Sequence, residues 1–159
     1  MKYFATPALL LMLLLSGCHT KPKEFTLAYT MESVGNYKSS IEIGKDKSYL
    51  IRQQNIFFDT HAGRERVNTS EGYLTDEEYN HLSELVAGSR LFRMKDTYGF
   101  EMKPDPANPF NGFVFQIIYT AGKKTKYISI QSDAADFYSD NFLQLLRFLS
   151  DYMSDHFSH

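Results

Sequence analysis

The sequence predicts an α+β fold: a mainly antiparallel sheet of about five to six strands with two helices, in the order strands, helix, two strands, helix. Three observations carry this. Apolar residues alternate with polar ones in several short runs, the signature of half-buried strands. Two stretches, Thr75 to Ala87 and Ser139 to Asp155, instead repeat their apolar residues at helical spacing. The chain also holds 13 Phe and 11 Tyr and no Trp, at 43% hydrophobic content, a ring-rich composition that suits strands and a packed core.

The elements follow in order. Phe25, Leu27, Tyr29 and Met31 share one face of a first strand, with Thr26, Ala28 and Thr30 on the other. Val34-Gly35-Asn36 turns into a short strand from Ser39 to Ile43, and Gly44-Lys45-Asp46-Lys47 has the composition of a hairpin loop. A third strand runs from Ser48 to about Ile56, where Tyr49 and Ile51 alternate with Leu50 and Arg52. After a polar stretch, Val67, Thr69 and Tyr73 suggest a weaker fourth strand over 66–73.

Thr75-Asp76-Glu77-Glu78 then reads as a helix start, with Thr75 as N-cap, Glu78 closing a capping box and acids facing the helix dipole. The helix is expected to end near Ala87, with Gly88 as the left-handed residue beyond it. Leu91, Phe92 and Met94 form an apolar connector. Between Tyr98 and Gly112, Pro104, Pro106 and Pro109 exclude both helix and ladder, so this segment is a loop. Phe113 to Tyr119 is the most apolar strand, and because both its faces are largely apolar it is expected at the centre of a sheet, covered on one side and at least partly on the other. Ala121-Gly122-Lys123-Lys124 turns it into Thr125–Gln131, and the last helix carries Phe142, Leu145, Leu146, Leu149, Tyr152 and Met153 in one wide stripe.

The N-terminus sets the organisation. Lys2, an apolar run from Ala8 to Leu15 and the small residues Ser16 and Gly17 precede Cys18, the only cysteine. About 20 apolar residues are needed to span a bilayer, and this run is much shorter. Leu15-Ser16-Gly17-Cys18 resembles the lipobox of bacterial lipoprotein precursors. The resemblance implies cleavage between Gly17 and Cys18, diacylglycerol on the Cys18 thiol, and acylation of the new amino group. It divides the chain into a signal peptide (1–17), a lipidated N-terminus with a short tether (18–23), and one α+β domain (24–159). It further implies a lipid bilayer as partner through the acyl chains, no cofactor apart from the covalent lipid on Cys18, and no thiol left for a disulfide, metal or nucleophile. His19 stands where an Asp commonly marks inner-membrane retention, so the resemblance points to the outer membrane. Lys21 and Lys23 read as solvated tether lysines.

Cleavage would leave 142 of the 159 residues, enough for one self-sufficient core. The whole chain has a net charge of −2, which argues against nucleic acid, and no Gly-rich phosphate loop points to a nucleotide. Glu77, Glu78 and His81 lack further convergent ligands for a metal, and Glu78 already has a capping role. Asp133, Asp136 and Asp140 are explained by the start of the last helix. Gly112-Phe113-Val114-Phe115 overlaps an RNA-binding strand pattern, but Asn111 stands where a basic residue belongs, so core packing is the simpler reading. Lys123, Lys124 and Lys126 read as hairpin solubility, and His156 as a frayed end without a partner.

The loop from Tyr98 to Gly112 is the candidate binding site: stiff prolines present Tyr98, Phe100, Pro104, Asp105, Pro106 and Phe110. Long loops in compact domains are often functional, and preordered aromatics offer contact area at small entropic cost. The competing reading makes the same rings a plug for the end of the core. The expected function is a membrane-anchored binding, accessory or inhibitor module contacting an envelope protein. The alternative is a hydrolase of envelope polymers using carboxylates.

Overall fold

The computed structural model describes residues 24–33, 36–55, 67–100, 112–132 and 138–157. Gly17 and Cys18, residues 34–35 and 56–66, and most of the segment from Tyr98 to Gly112 lie outside them.

Seven strands form one sheet in the order β4-β3-β2-β1-β6-β7-β5. They are β1 (Phe25–Ser33), β2 (Tyr37–Ile43), β3 (Ser48–Gln54), β4 (Val67–Tyr73), β5 (Thr97–Tyr98), β6 (Phe113–Ala121) and β7 (Lys124–Gln131). All neighbours pair antiparallel except β5, which lies parallel to β7. The helices are α1 (Asp76–Ser89) and α2 (Asp140–Asp155). This confirms an α+β fold with two helices, and corrects the expected strand number. The seventh strand is a two-residue pairing of Thr97 with Ser129 and Tyr98 with Ile130, too short to produce any periodicity.

The period-2 pattern of β1 decides the layering. Phe25, Leu27 and Tyr29 are buried under the helices, where Phe25 stacks on Tyr79 of α1 at 5.3 Å and Tyr29 shares a hydrogen bond of 3.0 Å with Ser150 of α2. Ile41, Ile51, Ile117 and Ile128 continue the same row across the sheet, and Leu82, Leu85, Phe142, Leu145 and Leu149 cover it. Both helices therefore lie on one face. Among the described residues nothing covers the other face, where Ile118 is 41% and Tyr127 62% exposed. β6 is central, between β1 and β7, but the expected cover on its second face is absent among the described residues. Its outward residues alternate Val114, Gln116, Ile118 and Thr120, and this mixed row continues through Ala28 and Thr30 of β1 into solvent.

The capping box forms as expected, with the Glu78 N–H donating to the Thr75 hydroxyl at 3.2 Å and the Thr75 N–H donating to the Glu78 carboxylate at 2.7 Å. Gly88 is not the left-handed residue beyond α1. The helix runs to Ser89, and Arg90 takes the left-handed conformation with φ 51°. Gly88 instead allows close approach of α2, since a Cβ there would lie 2.5 Å from Asn141 Nδ2.

Candidate functional site

The two described ends of the candidate loop meet at one end of β7. Tyr98 pairs with Ile130, while the Ser132 N–H donates to the Phe113 carbonyl at 2.8 Å. The connector ahead of β5 is held there by an ion pair between Lys126 and Asp96 and by the Ser129 N–H donating to the Asp96 carbonyl at 2.8 Å. Lys126 is thus a structural clamp with its side chain only 14% exposed, rather than a hairpin solubility residue. Its neighbours Lys123 and Lys124 remain exposed.

Tyr98 itself is buried. Its hydroxyl accepts from the Lys95 N–H at 3.0 Å, and its ring packs 5.2 Å from Tyr138, which in turn lies 5.6 Å from Phe142 of α2. This aromatic chain joins the root of the loop to the start of α2, where the Ser139 hydroxyl accepts from the Phe142 N–H at 3.3 Å. Phe100, two residues on, is 43% exposed. Pro104, Asp105, Pro106 and Phe110 lie outside the described residues.

Beside these rings is a pocket of about 410 Å³. The rings of Tyr98, Tyr138 and Phe142 line it together with Met94, Arg90, Arg93 and Asn141, and no carboxylate contributes. Arg90 and Arg93 line the pocket next to the positive end of the α2 dipole, a setting that favours an anionic group. Sequence reasoning found the tyrosine at its edge but missed both arginines. Their convergence depends on the left-handed turn at Arg90, for which the sequence offers no glycine signal.

A second hollow, of about 480 Å³, lies on the open face of the sheet. Glu42 and Glu71 flank Leu50 there, each paired with it across neighbouring strands. Neither glutamate is buried, and Glu42 is bound by Arg52. The two carboxylates stand two strands apart on the solvent-exposed face, with the Leu50 side chain between them.

The remaining candidates fall into structural roles. Glu78 serves the capping box, and His81 sits edge-on to Phe148 at 5.5 Å. No group of three or more potential metal ligands occurs among the described residues. Asp140 occupies the first turn of α2, while Asp133 and Asp136 lie outside the described residues. Phe115 stacks on Tyr29 at 6.4 Å, and Phe113 is 39% exposed at the loop's far end. The reading of His156 is corrected. Its Nε2 lies 2.9 Å from the Tyr49 hydroxyl and its Nδ1 2.7 Å from the Tyr152 carbonyl oxygen, so the end of α2 is pinned to β3. Tyr49 faces the helices in the register of β3, and that parity was the available signal.

Burial raises the phenols of Tyr29, Tyr79, Tyr119 and Tyr152 above the ordinary tyrosine range. In Tyr29 the Ser150 hydrogen bond partly opposes this. Hydrogen bonding and charge from Lys47 hold Asp76 below the usual carboxylate range. None of these groups lines the aromatic pocket. Comparison of the chain with known protein families and with curated proteins finds no match.

Proposed function

We propose that this chain is a lipid-anchored module of the bacterial cell envelope, most simply of the outer membrane, that binds an acidic segment of an envelope protein. The binding site is the pocket formed by β5, the turn after α1 and the start of α2, together with the Tyr98–Gly112 loop that leaves from its wall. One observation carries the reading: the pocket at the base of the loop is walled by three aromatic rings and two arginines and has no carboxylate. Rigid aromatics and arginine are the residue types that dominate protein interfaces. Tyr98 serves as the fixed wall, Phe100 as the exposed contact, and Arg93 as the charge that selects the partner. The resemblance of Leu15-Ser16-Gly17-Cys18 to a lipobox supports a position at a bilayer. No helix among the described residues is long and apolar enough to cross a membrane.

The test is site-specific photocrosslinking from position 100 in intact envelopes, in otherwise native chains and in chains carrying Arg93→Glu. The expected result is one crosslinked protein, attached through an acidic segment, whose yield falls about tenfold in the charge reversal while the melting temperature stays unchanged, as for ordinary surface substitutions. Equal yields in both chains would overturn the proposal. The hydrolase alternative would replace it if cleavage of an envelope polymer were abolished by Glu42→Gln or Glu71→Gln.

A further inference from the structure

The edge of the sheet opposite the pocket has a different character. β4 is its last strand, and among the described residues nothing pairs with its outer side. Its seven residues, Val67-Asn68-Thr69-Ser70-Glu71-Gly72-Tyr73, contain no Lys, Arg or Pro. Those are the residues with which edge strands ordinarily prevent pairing. Two large apolar side chains lie exposed at its ends, Val67 at 48% and Tyr73 at 72%.

The hydrogen-bond phase of this edge follows from its inner neighbour. The Leu74 N–H donates to the Lys47 carbonyl at 2.9 Å, continuing the register in which Ser48 opposes Tyr73. Antiparallel ladders alternate, so Gly72, Ser70 and Asn68 direct their backbone groups to β3. The N–H and C=O groups of Tyr73, Glu71, Thr69 and Val67 then point away from the sheet.

We propose that β4 is an interface at which a second copy of this chain adds antiparallel, across a two-fold axis at Ser70. In that register each outward-bonding residue meets another: Val67 opposes Tyr73 of the second copy, and Thr69 opposes its Glu71. The strand is complementary to itself. The two exposed apolar side chains of each copy cover each other on the open face, while small residues, Ser70 with Ser70 and Asn68 with Gly72, meet in the closer positions on the helix-facing side. The only charge, Glu71, faces a threonine. Joined this way, two seven-stranded sheets become one continuous sheet whose aromatic pockets lie at its two outer ends. A closed two-fold contact satisfies the edge without propagating. The inference does not rest on the proposed binding site.

The test is disulfide trapping of the full chain bearing Ser70→Cys. Residues directly opposed at a non-hydrogen-bonded position have Cα atoms about 4.5 Å apart, inside the disulfide range. Asn68→Cys is the register control, because the two copies of residue 68 stand four positions apart, about 13 Å along the strand. Thr69→Pro is the breaking variant: the Thr69 N–H points outward, so proline removes the pairing donor without removing a bond to β3. Val67→Lys is a second breaking variant that leaves the backbone untouched. The expected result is at least about tenfold more linked dimer from Ser70→Cys than from Asn68→Cys, falling about tenfold when Val67→Lys or Thr69→Pro is added. Equal trapping at positions 68 and 70, or undiminished trapping in the Val67→Lys background with native circular dichroism, would overturn the proposal.

Discussion

Replacing Gly72 with alanine should destabilise this domain, although glycine inside a strand is ordinarily the weaker residue. A Cβ at position 72 would lie 2.7 Å from the Tyr49 hydroxyl oxygen, 2.9 Å from Cζ and 3.1 Å from Cε1. The tyrosine must therefore move, and its surroundings oppose the movement. Its hydroxyl is bonded to His156 at 2.9 Å, and its ring meets Tyr152 at 5.4 Å and His156 at 5.1 Å, both edge-on. Losing one hydrogen bond costs about 1 kcal/mol. Loosened aromatic contacts add about 0.5–1.5 kcal/mol. Restricting the unfolded chain returns about 0.4–1 kcal/mol. The balance is a loss of roughly 0.5–2 kcal/mol, which for a domain of this size lowers the melting temperature by roughly 2–8 °C. Thermal unfolding followed by circular dichroism measures it. In a Tyr49→Phe background the hydroxyl bond is already gone, so Gly72→Ala should cost about 1 kcal/mol less there. A Gly72→Ala variant as stable as the parent, or equal costs in both backgrounds, would refute the claim that Tyr49 is locked between β4 and the end of α2.

Further outcomes follow from the same geometry. Thr75→Ala removes the hydroxyl that caps α1 and should cost about 0.5–2 kcal/mol in urea unfolding; an unchanged midpoint would show that the cap contributes nothing. Three buried phenols and the half-buried Tyr152 have folded pKa values raised above their unfolded value of about 10, so the stability they contribute is complete below about pH 10 and is lost as pH rises through their folded values. Urea midpoints should be level near pH 9 and fall steeply above about pH 10, and a midpoint constant through that range would contradict the burial of these rings. Cys18→Ser should move the protein out of the membrane fraction while leaving its fold intact, as read by fractionation and circular dichroism; continued sedimentation with membranes would show that Cys18 carries no lipid anchor.

The parts of the fold legible in the sequence were those whose signal is local and repeated. Alternation in β1 and β7, the Thr75–Glu78 capping box and the stripe of α2 each repeat the same instruction over several residues. β5 repeats nothing, because two residues held by Asp96 and Lys126 satisfy a tertiary geometry rather than a propensity. Gly88 looked like the end of a helix because glycine usually serves there, yet its missing side chain makes room for Asn141. The pocket was hidden for a related reason: Arg90, Arg93, Tyr98 and Tyr138 come together only through the turn after α1 and the parallel pairing of β5. His156 stands near the end of the sequence but not at the end of the packing, because Tyr49 holds it.

The position of β1 has a mechanical consequence. It is the fourth of seven strands, bordered by β2 on one side and by β6 on the other, and it is the first strand of the chain, beginning at Phe25. Tension applied at the N-terminal end of this strand would be delivered along the axis of the middle strand. Its two antiparallel ladders would bear that load in shear, many hydrogen bonds at once, instead of opening one after another as they would if an edge strand were pulled. An attachment at that end would let the domain stay folded under load.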